Sequence, residues 1–254
     1  MKKIVITGAK GFIGKRLYRA LVDIYGSKDA ETVELHRYDL QDETDILDVA
    51  IPKADIIFHL AAQTDVQYSI QDPLYDAMTN IAGTIKVLKE NPDAKVILTA
   101  SAAAKDPKSP YGVSKLTQEL YAQVIHNNAV ICRLPNVFGP GGKGVINKFI
   151  EPSEKITVNG DGSQVRDFVH VDDIVRGLLK AAGINYPAWD PGVYEMGSER
   201  GTTIKALAEA TGKEIEYGPE LPGEIKESIL TNTAPDWGPK IDPIEFIKQK
   251  NHGK

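Results

Sequence analysis

Seven residues constrain the fold most: Gly8-Ala9-Lys10-Gly11-Phe12-Ile13-Gly14, set between an apolar run over Lys3–Thr7 and a helix-period segment over Gly11–Tyr25. Glycine lets the backbone turn tightly and come close to a ligand. A helix start adds free N–H groups and the positive end of a dipole. A glycine triplet alone is a weak signal. Where a first strand turns into a first helix, it reads as the seat of a dinucleotide pyrophosphate, with Gly8, Gly11 and Gly14 as its glycines. The spacing is Gly-x-x-Gly-x-x-Gly, not the commoner Gly-x-Gly-x-x-Gly.

The chain beyond the loop alternates in the same way. Strands are expected over Val33–Arg37, Asp55–Leu60, Lys95–Thr99 and Val130–Leu134, and helices over Pro73–Lys89 and Tyr111–His126. Near-continuous apolar strands separated by helices imply a parallel sheet covered on both faces. That is an α/β, doubly wound fold of the Rossmann type, with its ligand at the carboxyl ends of the strands. Glycine and proline then cluster at Gly139–Gly144, Pro187–Gly192 and Gly218–Gly223. Short strands (Ile156–Val158, Val193–Met196, Glu214–Tyr217) mix there with short helices (Val171–Ala182, Thr203–Thr211). The expected organisation is a dinucleotide-binding domain of 1–138 with 167–197, interleaved with a smaller C-terminal substrate lobe of 139–166 and 198–254. The polar last dozen residues are expected to fray.

Composition excludes several classes. A net charge of −5 is no footprint for nucleic acid. No apolar run approaches a membrane span, and the run after Lys2-Lys3 is too short for a signal peptide, so the expectation is a cytoplasmic protein with no membrane partner. Cys132 is the single cysteine, which rules out an intrachain disulfide and a thiolate cluster. It reads as a small buried strand residue, and no metal is called for.

The end of the second strand should read the adenosine ribose, an acidic side chain suiting NAD and an arginine NADP. Arg37 could pair with a 2′-phosphate, while Asp39 and Leu40 are placed to flank the adenine. The cofactor is thus NAD or NADP. Thr99-Ala100-Ser101 ends another strand, where ligands should sit. Tyr111 and Lys115 stand four apart at the start of a helix, sharing one face. A tyrosine is a poor base at neutral pH. A nearby ammonium, together with the charge of an oxidised nicotinamide, would favour its phenolate, and Ser101 could orient a reacting hydroxyl.

Taken together, these motifs resemble the extended short-chain dehydrogenase/reductase family, in its NAD-dependent nucleotide-sugar epimerase and dehydratase branch. Thr7 to Gly14 match that family's glycine loop in its own spacing, which implies cofactor contacts from Lys10, Phe12 and Ile13 as well. His59-Leu60-Ala61-Ala62-Gln63 is similar to its cofactor-lining segment, and Asn80 to its helix asparagine. Ser101, Tyr111 and Lys115 match its catalytic set. Arg133-Leu134-Pro135-Asn136-Val137-Phe138-Gly139-Pro140 resembles the segment holding nicotinamide and sugar phosphate, implying Pro135 for the cofactor and Asn136 for the substrate. Gly160 to Asp173 match a later signature in which Arg166 would contact the substrate diphosphate. His59 and His170 read as structural.

The sequence also departs from that pattern. The stretch from Ser101 to Tyr111 is short, one βα element after the second strand is missing, and Leu221 stands where an arginine is common. Ala102 and Ala103 replace the acid and base with which dehydratases of the branch remove water. The expected function is nucleotide-sugar epimerisation by transient hydride transfer at a C4-type carbinol. A reductase of a keto nucleotide sugar that consumes NADPH is the alternative, and a non-catalytic dinucleotide-binding regulator is the alternative of another class. Apolar stripes on Pro73–Lys89 (Leu74, Met78, Ile81, Ile85, Leu88) and Tyr111–His126 (Leu116, Leu120, Val124) read first as core. The resemblance implies instead that these helices pair in a homodimer.

Overall fold

The computed structural model describes residues 2–26, 33–38, 50–220 and 225–252, with the backbone alone over 33–38. In chain order the first elements are β1 (Lys2–Thr7), α1 (Phe12–Tyr25), β2 (Val33–Tyr38), β3 (Ile56–His59), α2 (Val66–Gln71) and α3 (Pro73–Ala77). A π-helical turn over Met78–Ala82 leads into α4 (Gly83–Glu90). Then come β4 (Lys95–Ser101), a short 3-10 turn (Ala102–Ala104), α5 (Pro110–Ile125) and β5 (Ala129–Leu134). They are followed by β6 (Asn136–Phe138), α6 (Val145–Ile150), β7 (Lys155–Asn159), β8 (Val165–His170), α7 (Val171–Ala182) and β9 (Gly192–Glu195). The chain ends with β10 (Gly201–Thr203), α8 (Ile204–Glu209), β11 (Glu214–Gly218), β12 (Glu227–Ser228) and α9 (Pro243–His252).

Two compact units result: Met1–Arg133 with Val175–Tyr194, and Leu134–Ile174 with Glu195–Lys254. The first holds a six-stranded sheet in the order β2-β1-β3-β4-β5-β9. β1 pairs in parallel with both β2 and β3, and β3 with β4. The order reverses between β1 and β3, so the crevice for a ligand opens at their carboxyl ends. β3 is buried along its whole length and β4 along all but its two ends, as a sheet covered on both faces requires. Val5, Ile57, Val96, Leu98 and Ile131 of the sheet pack with Val87 and Leu88 of α4 and Ala122 of α5. α1 buries Gly14, Leu17 and Leu21, a three- and four-residue spacing that lays one face on the sheet; each leucine contributes roughly 1.5–3 kcal/mol. Cys132 is fully buried, and burial pushes its thiol up to about 12.

In the second unit β6 and β12 run parallel to β8, and β10 runs antiparallel to it; β7 pairs in parallel with β11. Because β6 and β8 pair with each other, both fall in this unit. The division expected from sequence put Asn136–Phe138 and the end of β8 with the first.

Two further expectations are corrected. Of the last dozen residues, Pro243–His252 form a helix instead of a frayed polar tail. α9 buries Phe246 and Ile247 among Phe138, Phe149, Phe168 and Leu207. Asp242 caps it, its side chain accepting from Ile244 N at 2.9 Å and Glu245 N at 3.1 Å, with Pro243 opening the helix. An Asp-Pro pair before apolar residues is a helix start signal. The single helix expected over Pro73–Lys89 is instead α3, the π turn and α4, for a reason that lies in Asn80. Among the described residues no helix is long and apolar enough to cross a membrane.

Candidate active site

The glycine loop closes on itself at the end of β1. Gly8 has φ +72°, and a Cβ on it would lie 2.7 Å from Ala61 N. Gly11 N donates to Gly8 O at 3.0 Å. A Cβ on Gly14 would sit 2.1 Å from Gly8 O. The turn therefore brings Gly8 against Leu60 and Ala61 at the sheet's switch point. α1 starts there with Gly11 as its cap, no side chain capping it and no acidic residue in its first turn. A helix start left uncapped, approached by backbone alone, fits a pyrophosphate. Lys10 is exposed, and Phe12 and Ile13 are half-buried beside it. The Arg37 side chain, Asp39 and Leu40 lie outside the described residues, as does Leu221.

Behind the loop runs a buried polar chain. His59 Nδ1 meets Thr7 Oγ1 at 2.7 Å and His59 Nε2 meets Thr84 Oγ1 at 3.0 Å. Burial, helped by the charge on Lys115, brings the imidazole down to about 3, so His59 is neutral.

Asn80 is completely buried in the π turn. Its Oδ1 accepts from Gln63 N at 2.9 Å, and its Nδ2 lies 3.1 Å from Gln63 O, Asp76 Oδ1 and Ser114 Oγ. Its carbonyl accepts from Thr84 Oγ1 at 2.7 Å. An amide in so many contacts fixes the local helix geometry, and the wide turn is the accommodation; π turns recur at functional sites.

The redox candidates meet on β4 and α5. Ser109 caps α5, accepting from Gly112 N at 3.2 Å, and Pro110 opens it. A Cβ on Gly112 would lie 2.8 Å from Ala103 O, so the short segment after Ser101 packs directly on the helix. The Ser101 and Tyr111 side chains share a hydrogen bond: ten residues suffice to bring the two hydroxyls together. Tyr111 N donates to Ser69 Oγ at 3.1 Å. Lys115 is 3% exposed, and its Nζ donates to Thr99 O at 3.3 Å and lies 5.9 Å from the centre of the Tyr111 ring.

The Tyr111 phenol stands above its ordinary value; burial raises it, the Ser101 hydrogen bond acts against that, and Asp76 adds to the rise. Burial outweighs any pull from the ammonium, whose hydrogen bond is to a backbone carbonyl. Burial brings Lys115 itself down to about 8, opposed by Asp76 and Glu119. Glu119 is held by Arg133, with Nη2 to Oε2 at 2.7 Å.

In the second unit, Pro135 is buried and precedes Asn136, whose Nδ2 donates to Asp167 O at 3.1 Å. Asn136 is paired with Phe168 in the ladder, two residues beyond Arg166. The Arg166 guanidinium donates to Val165 O at 2.9 Å. The same unit thus presents Asn136 and Arg166 on adjoining strands. The sequence reading missed Asp76, Ser69, Ser114 and Glu119. A usable signal for Asp76 was its place four residues before Asn80 on one helix.

Comparison with known proteins agrees with this geometry. The model of the NAD-dependent epimerase/dehydratase family matches residues 4–197. A UDP-glucose 4-epimerase of Mycolicibacterium smegmatis is 29% identical, covering 98% of this chain and 99% of its own. That alignment runs over 314 positions against 254 residues here, which puts gaps inside this chain. The crystal structure of a UDP-glucose 4-epimerase from Thermotoga maritima, with UDP-glucose, superposes with a TM-score of 0.80 at 30% identity, covering 98% of this chain and 97% of that one. The Thermus thermophilus UDP-glucose 4-epimerase in complex with NAD gives 0.78 at 25% identity, with 98% of each chain covered. The chain belongs to the NAD-dependent epimerase/dehydratase family, and is an enzyme of the extended short-chain dehydrogenase/reductase type that uses a nicotinamide dinucleotide.

Proposed function

We propose that the protein is a nucleotide-sugar epimerase acting at a C4-type carbinol. The observation that carries this reading is the Ser101–Tyr111 hydroxyl pair beside the buried Lys115. Ala102 and Ala103 follow Ser101 and can move no proton, so nothing in that turn serves a dehydration. Tyr111 takes the carbinol proton and later returns it, and Ser101 Oγ orients the carbinol oxygen. Lys115 holds the nicotinamide ribose. When bound, the dinucleotide supplies a reversible hydride acceptor. Gly8, Gly11 and Gly14 with the start of α1 hold its pyrophosphate, and Gln63, Asn80 and Thr99 stand along its path. Asn136 and Arg166 hold the phosphates of the sugar nucleotide. The named activities of the similar proteins support a UDP-hexose as the first substrate to try.

Product analysis tests the proposal. With UDP-glucose or UDP-galactose the expected product is the 4-epimer, with no net change in nicotinamide absorbance and no 4-keto-6-deoxy sugar. Stoichiometric oxidation of NADPH with a 4-keto nucleotide sugar would replace the epimerase by a reductase. Dinucleotide binding with no turnover on either class of substrate would leave a regulator.

We further propose a homodimer formed through α2, α3 and α5. Only part of the stripes that read as core is buried: Leu88 faces inward, whereas Leu74 is 71% exposed and Val124 82%, and Leu120 with the neighbouring Ile70, Tyr75 and Val113 is at least half exposed. α2 and α3 both pack on α5, so these side chains belong to one assembly of helices. An apolar surface of this extent marks an interaction site. Light scattering should give a dimer mass, and Val124→Glu should shift it to the monomer. A monomeric wild type would dismiss the dimer.

A further inference from the structure

We propose that Asp76 is a positioning residue of the redox site: it locks the Asn80 amide and the Gln63 side chain, and through Asn80 and Ser114 the backbone that carries Tyr111. The proposal rests on the reading of Tyr111 as the acid/base, and its test is chosen to stand apart from that reading.

Asp76 is 1% exposed. Its Oδ1 accepts from Gln63 Nε2 at 2.9 Å and from Asn80 Nδ2 at 3.1 Å. An amide can sit in its pocket in two orientations, and the partners decide between them. Here the carboxylate can only accept, so Asn80 must turn its NH2 to Asp76. That leaves its oxygen for Gln63 N, 2.9 Å away. The same NH2 lies 3.1 Å from Ser114 Oγ, which donates to Tyr111 O at 3.0 Å. A chain of hydrogen bonds therefore runs from Asp76 through Asn80 and Ser114 to the backbone of Tyr111. Its second branch runs through Gln63 to the segment after β3.

The charge has its own consequence. A buried carboxylate favours the protonated form of a neighbouring phenol and the charged form of a neighbouring amine. Both effects are present: Asp76 raises Tyr111 and raises Lys115. Among the described residues, the other ionisable groups coupled to this pair are Glu119 on α5, itself paired with Arg133 on β5, and His59 on β3, which is neutral. Glu119 acts on Lys115 but is not among the groups that shift Tyr111. Among the described residues, Asp76 is the carboxylate that acts on both.

Asp76→Asn separates charge from shape, because its side-chain oxygen can still accept from Gln63 and Asn80. The readout is the tyrosinate absorbance of Tyr111 against pH, taken as the difference between each protein and the same protein carrying Tyr111→Phe. It needs no turnover, so it reports on Asp76 even if Tyr111→Phe proves fully active. Asp76→Asn should keep the wild-type melting temperature and move the Tyr111 titration to lower pH. The rising limb of its pH–rate profile should move the same way. Asp76→Glu, which keeps the charge, should leave the Tyr111 titration where it is in the wild type. An unmoved titration in a folded Asp76→Asn would overturn the proposal, as would an equal shift in Asp76→Glu.

Discussion

Tyr111→Phe is expected to lower turnover about 10²–10⁴-fold, the range for a positioned acid/base, while dinucleotide affinity stays within a few-fold of wild type. The substitution removes one oxygen and leaves the ring, which sits on α5 near Lys115. The pyrophosphate seat at Gly8–Gly14 is formed by other elements and is untouched. What disappears is the group that exchanges a proton with the carbinol, along with the hydrogen bond that Ser101 shares with it. A phenol is protonated through neutral pH even at its ordinary value, and burial raises this one further, so wild-type carbinol oxidation should quicken as pH rises. The variant should lack that limb. Fluorescence titration with the dinucleotide, together with a pH–rate profile, checks both halves. Wild-type turnover in Tyr111→Phe would remove Tyr111 from the mechanism.

Gly14→Ala should be the most damaging single methyl group in the first unit. Its Cβ would stand 2.1 Å from Gly8 O and 2.8 Å from Ala9 Cα. Both are backbone atoms, so no side-chain rotation relieves the clash. Either α1 lifts from the loop, losing the burial of Leu17 and Leu21, or Gly8 moves out of its contact with Ala61. Overpacking of this kind costs about 3 kcal/mol or more, which for a chain of this size lowers Tm by roughly 6–12 °C. The same shift opens the pyrophosphate seat, so dinucleotide affinity should fall with it. Calorimetry with and without the dinucleotide reads both effects. A variant with unchanged Tm and affinity would mean that the loop is not built as described.

The first unit was legible because its signals are local and periodic. The apolar runs at Lys3–Thr7 and Lys95–Thr99, and the glycines between β1 and α1, declare strands and a turn within a few residues. Tyr111 and Lys115 were legible because four residues on a helix place two side chains on one face. The pairing of β6 with β8 was not, because their contact joins Asn136 to Phe168 across an intervening helix and hairpin-length segments. The burial around Tyr111 was not legible for a related reason. The sequence displays the charge on Lys115, whereas burial, the larger effect, comes from residues scattered along the chain. The tail was misread by counting its polar residues and passing over Asp242-Pro243, a start signal for a helix whose apolar side chains, Phe246 and Ile247, lie within its first turns.

The π turn at Met78–Ala82 has a consequence for how this chain can change over time. In an α-helix each residue advances the face by about 100°, so one added residue acts as a phase shifter. Ahead of the turn, Leu74 faces water; beyond it, Thr84, Val87 and Leu88 face inward. A lineage that lost one residue here would recover a regular helix and put its two halves out of phase. It would have to choose between turning Asn80 inward and keeping Val87 and Leu88 in the core. The length of this segment is therefore under tighter constraint than most of its individual side chains. Substitutions should accumulate along it far more readily than insertions or deletions.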